Sequence, residues 1–203
     1  MEGVVLLTGF GPFAKYQRNP TEAVVREMNG FQLNCGLVIR GEVLPSSYAS
    51  APQRVVSLID ELNPQILLSL GYFSRIPRIR VETRGYNEKR SEYADCDGIT
   101  YLGTSIEPDG PKYVDISADS PTIVEAIRRD SIDAELSCDA ERFICNCLIY
   151  TIGRYRPNIP FGYIHTPTLE SFSDLIAGQT EKITIPDDHL LKAVLTAIET
   201  MAR

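Results

Sequence analysis

Two cysteines stand two residues apart in the apolar stretch RFICNCLIY (142–150), and their type and spacing raise the question of whether either thiol does chemistry. Free cysteine packs as a small hydrophobe, so a place in the core is the default interpretation for both. If the stretch is a helix, Cys145 and Cys147 point in different directions. Cys147 then joins Ile144 and Thr151 on one stripe, which favours packing and leaves Cys145 as the better candidate nucleophile.

Cys145 lies near the predicted start of this helix. Ser137 and Asp139 stand just upstream, and both residue types are suitable N-caps. We therefore expect Cys145 in the first or second turn, where the aligned peptide dipoles favour a thiolate over a thiol. The thiolate is the nucleophilic form of cysteine, so this position suits covalent catalysis.

A nucleophilic cysteine needs a base, and the chain has only two histidines. His165 lies in the stretch FGYIHTP (161–167), which we predict to be a strand that ends at a proline turn. Sites in open parallel sheets are built at the carboxyl ends of strands, which favours His165 as the base. The alternative is a histidine that caps the turn with one hydrogen bond. His189 falls among polar neighbours in the last predicted helix, and we expect it at the surface.

Glu82 is the candidate for a carboxylate that orients the base. It stands in RIRVETRG (78–85), which alternates as a short, rather exposed strand does, with Arg80 and Arg84 on the same face. One interpretation is a surface carboxylate in a ladder of charges. The other is a carboxylate that accepts the Nδ1 hydrogen bond of a histidine and stabilises the imidazolium.

The stretch TGFGPF (8–13) is similar to a dinucleotide-binding loop but does not meet its pattern. Ala14 occupies the third glycine position, and Phe10 and Phe13 would crowd a pyrophosphate. Exposing two phenylalanines on such a turn is costly. They therefore fold back into the core or line a flat apolar pocket, and the sequence leaves both alternatives open.

Strands and helices alternate along the chain, which predicts an α/β fold with a mostly parallel sheet. The segment Gly85 to Pro121 is too long for an ordinary connection, and we expect a functional loop or a small hairpin over the sheet edge. The predicted strands are Val4–Phe10, Leu37–Leu44, 65–72, 78–85 and 161–167, and the predicted helices are 20–30, 47–64, Thr122–Arg129, the cysteine helix and the segment from Asp187 onward.

Length and composition suit one globular domain, residues 1–203, because 43% of its 203 residues are hydrophobic and 23% are charged. A formal net charge of −7 without a cluster of basic residues disfavours a nucleic-acid partner. The N-terminal apolar run is too short to span a membrane and lacks the basic flank of a signal peptide, so we expect a cytoplasmic protein with no membrane partner. The odd number of five cysteines argues against disulfides, and two histidines argue against a zinc site.

Five stretches in register across almost the whole chain resemble pyroglutamyl peptidase type I, the pyrrolidone-carboxylate peptidase family of cysteine peptidases. These stretches are TGFGPF followed by NPT, EVLPSSY, GYFSRIPRIRVETRGYN, SCDAERFICNCLIYTIGRY and FGYIHTP. The resemblance implies a three-layer αβα sandwich of phosphorylase/hydrolase-like type around a twisted, mostly parallel sheet. It also implies removal of N-terminal pyroglutamate (5-oxoproline) from peptides through a thioester acyl-enzyme, without a metal or cofactor. Assembly into a homotetramer is a further implication.

The family's catalytic roles fall on three residues of this chain: Cys145 as nucleophile, His165 as base and Glu82 as the group that holds the histidine. The resemblance implies oxyanion donors among the backbone N–H groups around Cys145, with Arg90 as a candidate helper. The residues that it implies for the substrate pocket are Phe10, Phe13, Asn19, Gly71, Tyr72 and Phe143. Tyr72 stands where many bacterial members have glutamine, which predicts a narrower pocket or a shifted preference among acyl groups.

Two other functions remain open from the sequence. One is a related cysteine amidohydrolase with altered acyl specificity, in which the same three residues serve a reshaped pocket. The other is a catalytically silent homologue that binds a small molecule at the strand ends, in which case Cys145 reacts like an ordinary thiol. The incomplete glycine pattern disfavours a nucleotide-binding domain.

Overall fold

A mixed sheet of six strands forms the centre of the molecule in the computed structural model, which describes residues 3–13, 16–75, 77–177 and 184–203. The strand order is β2-β1-β3-β10-β4-β9. Four strands are parallel to one another, while β4 and β9 run in the opposite direction and meet the others at the antiparallel pair β10–β4. The six strands are β1 (Val4–Phe10), β2 (Val38–Leu44), β3 (Ile66–Tyr72), β4 (Ile79–Glu82), β9 (Ala134–Ser137) and β10 (Phe161–Thr166).

Helices cover both faces of this sheet. Helices α1, α3 and α5 pack into one hydrophobic core, and α2 and α4 pack into the other. Strand β1 contributes to both, since Val5 and Leu7 face the first core while Leu6 faces the second. The arrangement is a three-layer αβα sandwich, which confirms the predicted fold class. The helices are α1 (Pro20–Met28), α2 (Ser50–Leu62), α3 (Ser120–Arg129), α4 (Ile144–Tyr155) and α5 (Asp187–Met201).

Several predicted elements lie where the sequence placed them. The first strand has the predicted bounds, and α1 begins at Pro20 with Asn19 as its N-cap. The side-chain oxygen of Asn19 accepts a hydrogen bond from the backbone N–H of Thr21 at 3.0 Å, as expected of a cap. Ala14, the residue that breaks the glycine pattern, lies outside the described residues. None of the described helices is long and apolar enough to cross a membrane.

The stretch 78–85 is not the single exposed strand that its alternation predicted. It divides at Thr83 into β4 and a short strand β5 (Arg84–Tyr86) of another ladder. Strand β4 lies inside the sheet because both of its edges are paired, and Ile79 and Val81 are buried. Strand β9, which pairs with its outer edge, was not predicted at all.

The long segment from Gly85 to Pro121 lies against α4 rather than only over a sheet edge. Its strands form two short antiparallel ladders, β5 with β8 and β6 with β7, and β5 and β8 pack on α4. Asn146 of α4 fixes this segment through three hydrogen bonds, accepting from the N–H of Tyr86 and donating to the carbonyls of Tyr86 and Glu88. The strands are β6 (Lys89–Arg90), β7 (Leu102–Thr104) and β8 (Tyr113–Asp115), and later in the chain lie β11 (Thr168–Leu169), a 3-10 helix (Glu170–Ile176) and β12 (Thr184–Ile185).

The start of α4 differs from the prediction. Its N-cap is Phe143, which makes no capping hydrogen bond with its side chain. Ser137 and Asp139 instead stabilise the turn before the helix: Ser137 accepts from the N–H of Asp139 at 3.2 Å, and Asp139 accepts from the N–H of Glu141 at 2.9 Å. Both residues are common in such turns for the same reason that they are common at caps, so the sequence did not separate the two roles.

Candidate active site

Residues from three neighbouring strands face α4 and converge on one point of the sheet. His165 and Tyr163 are two apart on β10 and share the face that α4 covers. Gly71 of β3 lies directly beside His165 in the parallel register. On the other side, Glu82 extends from the strand β4 that pairs antiparallel with β10. The pairing of these strands thus brings together residues that are far apart in the sequence.

His165 and Glu82 form a buried pair. The Nδ1 atom of His165 lies 2.7 Å from Oε1 of Glu82, and the side chains are 4% and 0% exposed. The interpretation of Glu82 as part of a surface ladder of charges is therefore wrong. Its neighbours Arg80 and Arg84 pair elsewhere, with Glu135 at 3.4 Å and Asp115 at 3.0 Å. Because Glu82 engages Nδ1, Nε2 is the ring nitrogen left for a reacting group.

Cys145 supplies that group. It lies in the first turn of α4, is partly exposed, and lies close enough to His165 to interact with it electrostatically. Burial of His165 disfavours its charged form, but the electrostatic interaction with Cys145 and the hydrogen bond that Nδ1 donates to Glu82 outweigh burial and raise the pKa of His165 to about 10. The arrangement therefore favours the imidazolium form of His165 beside the sulfur of Cys145.

Cys147 has the surroundings of a structural residue, as predicted. It is 2% exposed and belongs to the core between α4 and the sheet. Burial raises the pKa of its thiol to about 11, although Lys89 and a hydrogen bond to Thr151 act in the opposite direction. A thiol of this kind stays protonated and unreactive at neutral pH.

Gly71 leaves room for the histidine. A Cβ atom at this position would lie 2.8 Å from Nε2 of His165 and 2.6 Å from the hydroxyl oxygen of Tyr163, closer than such atoms can approach. Gly71 is not among the residues that border the cleft at Cys145, so its predicted role in substrate binding stays a prediction. Its contribution in this structure is to admit the two side chains next to it.

A narrow, largely apolar cleft of about 50 Å³ opens at Cys145. Aromatic rings form its walls. The centroid of the Phe13 ring lies 6.4 Å from the ring centroids of Tyr72 and Phe143. Tyr72 is held in place by a hydrogen bond of 2.8 Å between its hydroxyl and that of Thr168. The predicted pocket residues that border the cleft are Phe10, Phe13, Asn19, Tyr72 and Phe143, together with Ser46, Ile144 and Cys145.

The turn that carries the two phenylalanines is fixed from both sides. Asn19 Nδ2 and Ser46 Oγ both donate to the carbonyl of Gly11, at 3.0 and 3.3 Å. Gly9 permits close packing of α1, since a Cβ there would lie 2.8 Å from the carbonyl oxygen of Thr21. Gly9 therefore serves the packing of α1. Phe10 is 4% exposed and belongs both to the core and to the wall of the cleft.

A second, wider cleft of about 760 Å³ adjoins the narrow one and shares Phe13, Tyr72 and Phe143 with it. Arg90 lies on this wider side, where its guanidinium is 2.6 Å from Glu88 and its side chain is 64% exposed. It does not border the narrow cleft at Cys145, so its role as an oxyanion helper stays a prediction. His189 is partly exposed in the first turn of α5, on the other face of the sheet.

Two neighbours of the site were missed in the sequence. Ser46 follows β2 in the stretch EVLPSSY, and its position after a strand end was a usable signal. Tyr163 stands inside an apolar run, where a tyrosine reads as a core residue, and only the pairing of β10 with β3 and β4 shows that it flanks the nucleophile. Among the described residues, no cluster of three or more His, Cys, Asp or Glu side chains is arranged to hold a metal ion.

Comparison with known proteins supports the resemblance seen in the sequence. A family model described as pyroglutamyl peptidase matches residues 3–203. A pyrrolidone-carboxylate peptidase from Enterobacter sp. is 32% identical over 196 residues, which cover 95% of this chain and 91% of that relative. Another from Saccharolobus islandicus is 29% identical over 197 residues, covering 96% and 93%.

Solved structures show the same fold. Pyrrolidone carboxyl peptidase from Thermococcus litoralis has a TM-score of 0.91 at 24% identity, and the match covers 100% of this chain and 94% of that one. A variant of the Pyrococcus furiosus enzyme has a TM-score of 0.91 at 23% identity, with 98% of each chain covered. The family model spans the elements that carry Glu82, Cys145 and His165. The chain therefore belongs to the pyroglutamyl peptidase family.

Proposed function

We propose that this protein removes the N-terminal pyroglutamyl residue from peptides, with Cys145 as the nucleophile. The observation that carries the proposal is the buried pair of His165 and Glu82, which lies beside a cysteine at the start of a helix and at the mouth of an aromatic cleft. This combination supplies a nucleophile, a base and an orienting carboxylate at one point.

In the first half of the reaction, the Cys145 thiolate attacks the carbonyl carbon of the pyroglutamyl residue. The peptide C–N bond breaks, and the imidazolium of His165 gives its proton to the departing amine. Glu82 keeps the ring oriented and stabilises its charged form throughout. The product on the enzyme is a thioester between Cys145 and the pyroglutamyl group.

In the second half, neutral His165 takes a proton from water, and the hydroxide attacks the thioester. The C–S bond breaks, its electron pair returns to Cys145, and free pyroglutamate leaves. The oxyanion of each tetrahedral intermediate forms near the first turn of α4. The first backbone N–H groups of that helix have no partner within the helix, so they are suitable donors to the negative oxygen.

The narrow cleft suits the pyroglutamyl ring for two reasons. The lactam is flat and uncharged, so aromatic faces can contact it without the cost of burying a charge. Nearby polar groups on Asn19 and Ser46 offer contacts to the lactam amide, although both already bond to the Gly11 carbonyl. The rest of the peptide extends into the wider cleft, whose volume of about 760 Å³ admits varied leaving groups.

The direct test is release of the fluorophore from pyroglutamyl-aminomethylcoumarin under reducing conditions. We expect turnover by the parent, loss of about 1000-fold or more in Cys145→Ser, and near-parental rates in the matched control Cys147→Ser. Loss in both variants, with both folded, would contradict the assignment of the nucleophile. A folded parent that does not turn over this substrate but hydrolyses other small N-acyl amides would favour the amidohydrolase. A folded parent that hydrolyses none of these compounds, and whose Cys145 reacts like an ordinary thiol, would favour the silent homologue.

A further inference from the structure

Tyr163 is a fully buried tyrosine next to the site that the mechanism above does not use. It lies two residues before His165 on β10, on the same face, and is 0% exposed. Its ring meets the imidazole edge to face, with centroids 5.1 Å apart. The phenol thus contacts the base directly, and its position is fixed by the strand rather than by a mobile loop.

The hydroxyl of Tyr163 lies near Nε2 of His165. A Cβ atom placed on Gly71 would lie 2.6 Å from this oxygen and 2.8 Å from Nε2 of His165. The hydroxyl oxygen and Nε2 therefore lie on either side of the same small space. Among the described residues the hydroxyl has no hydrogen-bond partner of good geometry. A buried hydroxyl without a partner costs free energy, so each such group in a native structure needs an explanation, and a catalytic role is one of them.

Cys145 is the candidate for that partner, because its side chain packs against the buried cluster that contains Tyr163. Burial raises the pKa of Tyr163 well above its usual value, and the nearby charges on Cys145 and Glu82 raise it further. Cys145 is the strongest of these interactions after burial. The phenol therefore stays protonated over the whole working range of pH and remains a hydrogen-bond donor. His165 interacts with the same cysteine, and Nε2 is the ring nitrogen that the contact with Glu82 leaves free.

We propose that the Tyr163 hydroxyl donates a hydrogen bond to the Cys145 thiolate and acts, with the imidazolium of His165, as a second stabilising contact for the charged nucleophile. The proposal rests on the proposed function for the role of Cys145. Hydrogen bonds to charged groups are the stronger ones, and a dry site strengthens them further.

This contact has two consequences for the reaction. It increases the fraction of Cys145 that is thiolate before attack, which matters most at low pH. It also assists the second half, in which the C–S bond breaks and the electron pair returns to the sulfur, because the donor is already in place for the departing thiolate.

The test measures the rate at which iodoacetamide alkylates Cys145 as a function of pH, for the parent and Tyr163→Phe, with the modified peptide quantified by mass spectrometry. Resolving the site is necessary because Cys35, Cys96 and Cys138 are exposed. We expect the midpoint of the alkylation profile to move to higher pH in the variant by about one unit. Loss of the Tyr163 hydrogen bond also predicts that kcat/KM of the variant falls more at pH 6 than at pH 9.

Tyr150→Phe is the matched control. Tyr150 is also buried, on α4, but its hydroxyl bonds to the carbonyl of Pro111 at 3.0 Å and not to the site. We expect its alkylation profile to match that of the parent. A profile of folded Tyr163→Phe that superimposes on the parental one would overturn the proposal.

A second substitution covers the case in which Tyr163→Phe does not fold. Fluorotyrosine at position 163 keeps the shape of the ring and makes the phenol a stronger donor, so the midpoint should move to lower pH. An unchanged midpoint there would equally overturn the proposal. Alkylation does not require a peptide substrate, so a shifted profile in a protein without peptidase turnover would refute the proposed function and leave the Tyr163 contact supported.

Discussion

Glu82 is fully buried beside His165, and this burial decides how the pair behaves. One of its carboxylate oxygens, Oε1, contacts the imidazole, while Oε2 has no hydrogen-bond partner among the described residues. A buried carboxylate with so few partners is stable only beside a positive charge. The pair therefore favours the imidazolium, which in the proposed mechanism donates a proton to the departing amine.

The pH dependence of Glu82→Gln tests this coupling. The reactive form needs a protonated His165, whose pKa is raised to about 10, so activity falls as pH rises through that region. Glutamine removes the carboxylate charge that contributes to the increase, so the pKa of His165 falls and activity is lost from a lower pH. We expect the alkaline limb of kcat/KM to shift down by about one unit or more, together with a 10- to 100-fold lower maximum. An alkaline limb that does not move would show that Glu82 does not control the protonation of His165.

The sequence predicted the three proposed catalytic residues better than it predicted their surroundings. Cys145 and His165 stood out because reactive residue types are rare in this chain and lay at predicted element ends. The burial of Glu82 was not predictable from its alternating neighbours, since Arg80 reaches the carboxylate of Glu135 and leaves Glu82 to the interior. Long side chains such as that of arginine bury their apolar stems and place their charged ends elsewhere. The alternation of residue types along a strand cannot show where those ends lie.

The elements around the nucleophile are coupled through one buried asparagine. Asn146 follows Cys145 on α4, is 0% exposed, and makes three hydrogen bonds to the backbone of the segment that contains β5 and β6. Phe143, the N-cap, provides no capping side-chain bond, so tertiary contacts fix where the helix begins. Asn146 thereby attaches the long segment 85–121 to the helix that carries the nucleophile.

Asn146→Ala removes these hydrogen bonds and leaves buried backbone groups without partners. We expect the free energy of unfolding to fall by about 2–4 kcal/mol, measured by urea denaturation. Asn158→Ala is the control, because Asn158 is exposed on the turn before β10 and its loss should cost about 0.5 kcal/mol or less. Equal stability of the two variants would mean that the segment is held by other contacts.

The elements that the sequence predicted well are those whose own residues mark where they begin and end. The apolar run of β1 and the Asn-Pro start of α1 define their own bounds. The break at Thr83 and strand β9 have no such signal. Both depend on pairing between β4 and β9, where Glu82 lies opposite Ser137, a contact between segments more than fifty residues apart.

The whole molecule presents a narrow cleft at Cys145 and a wider one beside it, which in the proposed function hold the acyl group and the remainder of the peptide. The narrow cleft has aromatic walls, and the described residues that border it include no Asp, Glu, Lys, Arg or His. Only the assembled fold shows this shape, because its walls come from the loop after β1, the end of β3 and the start of α4. The sequence allowed Phe10 and Phe13 to lie either in the core or in a pocket, and Phe10 does both.

Discrimination between pyroglutamyl and prolyl substrates tests this shape. The two rings are similar in size, but the N-terminal proline carries a protonated amine at pH 7, and the narrow cleft has no carboxylate to pair with it. We expect kcat/KM for prolyl-aminomethylcoumarin to be at least about 1000-fold below that for the pyroglutamyl compound. Values within tenfold of each other would show that the aromatic cleft is not the acyl pocket.

The most direct experiment identifies the atom that takes the pyroglutamyl group. Pyroglutamyl chloromethyl ketone should be directed by its ring into the narrow cleft and alkylate the nucleophile there, and peptide mass spectrometry then locates the label among the five cysteines. We expect one label per chain, on Cys145, with activity lost in proportion to labelling. A label on Cys147 or another cysteine, with Cys145 unmodified and activity abolished, would contradict it.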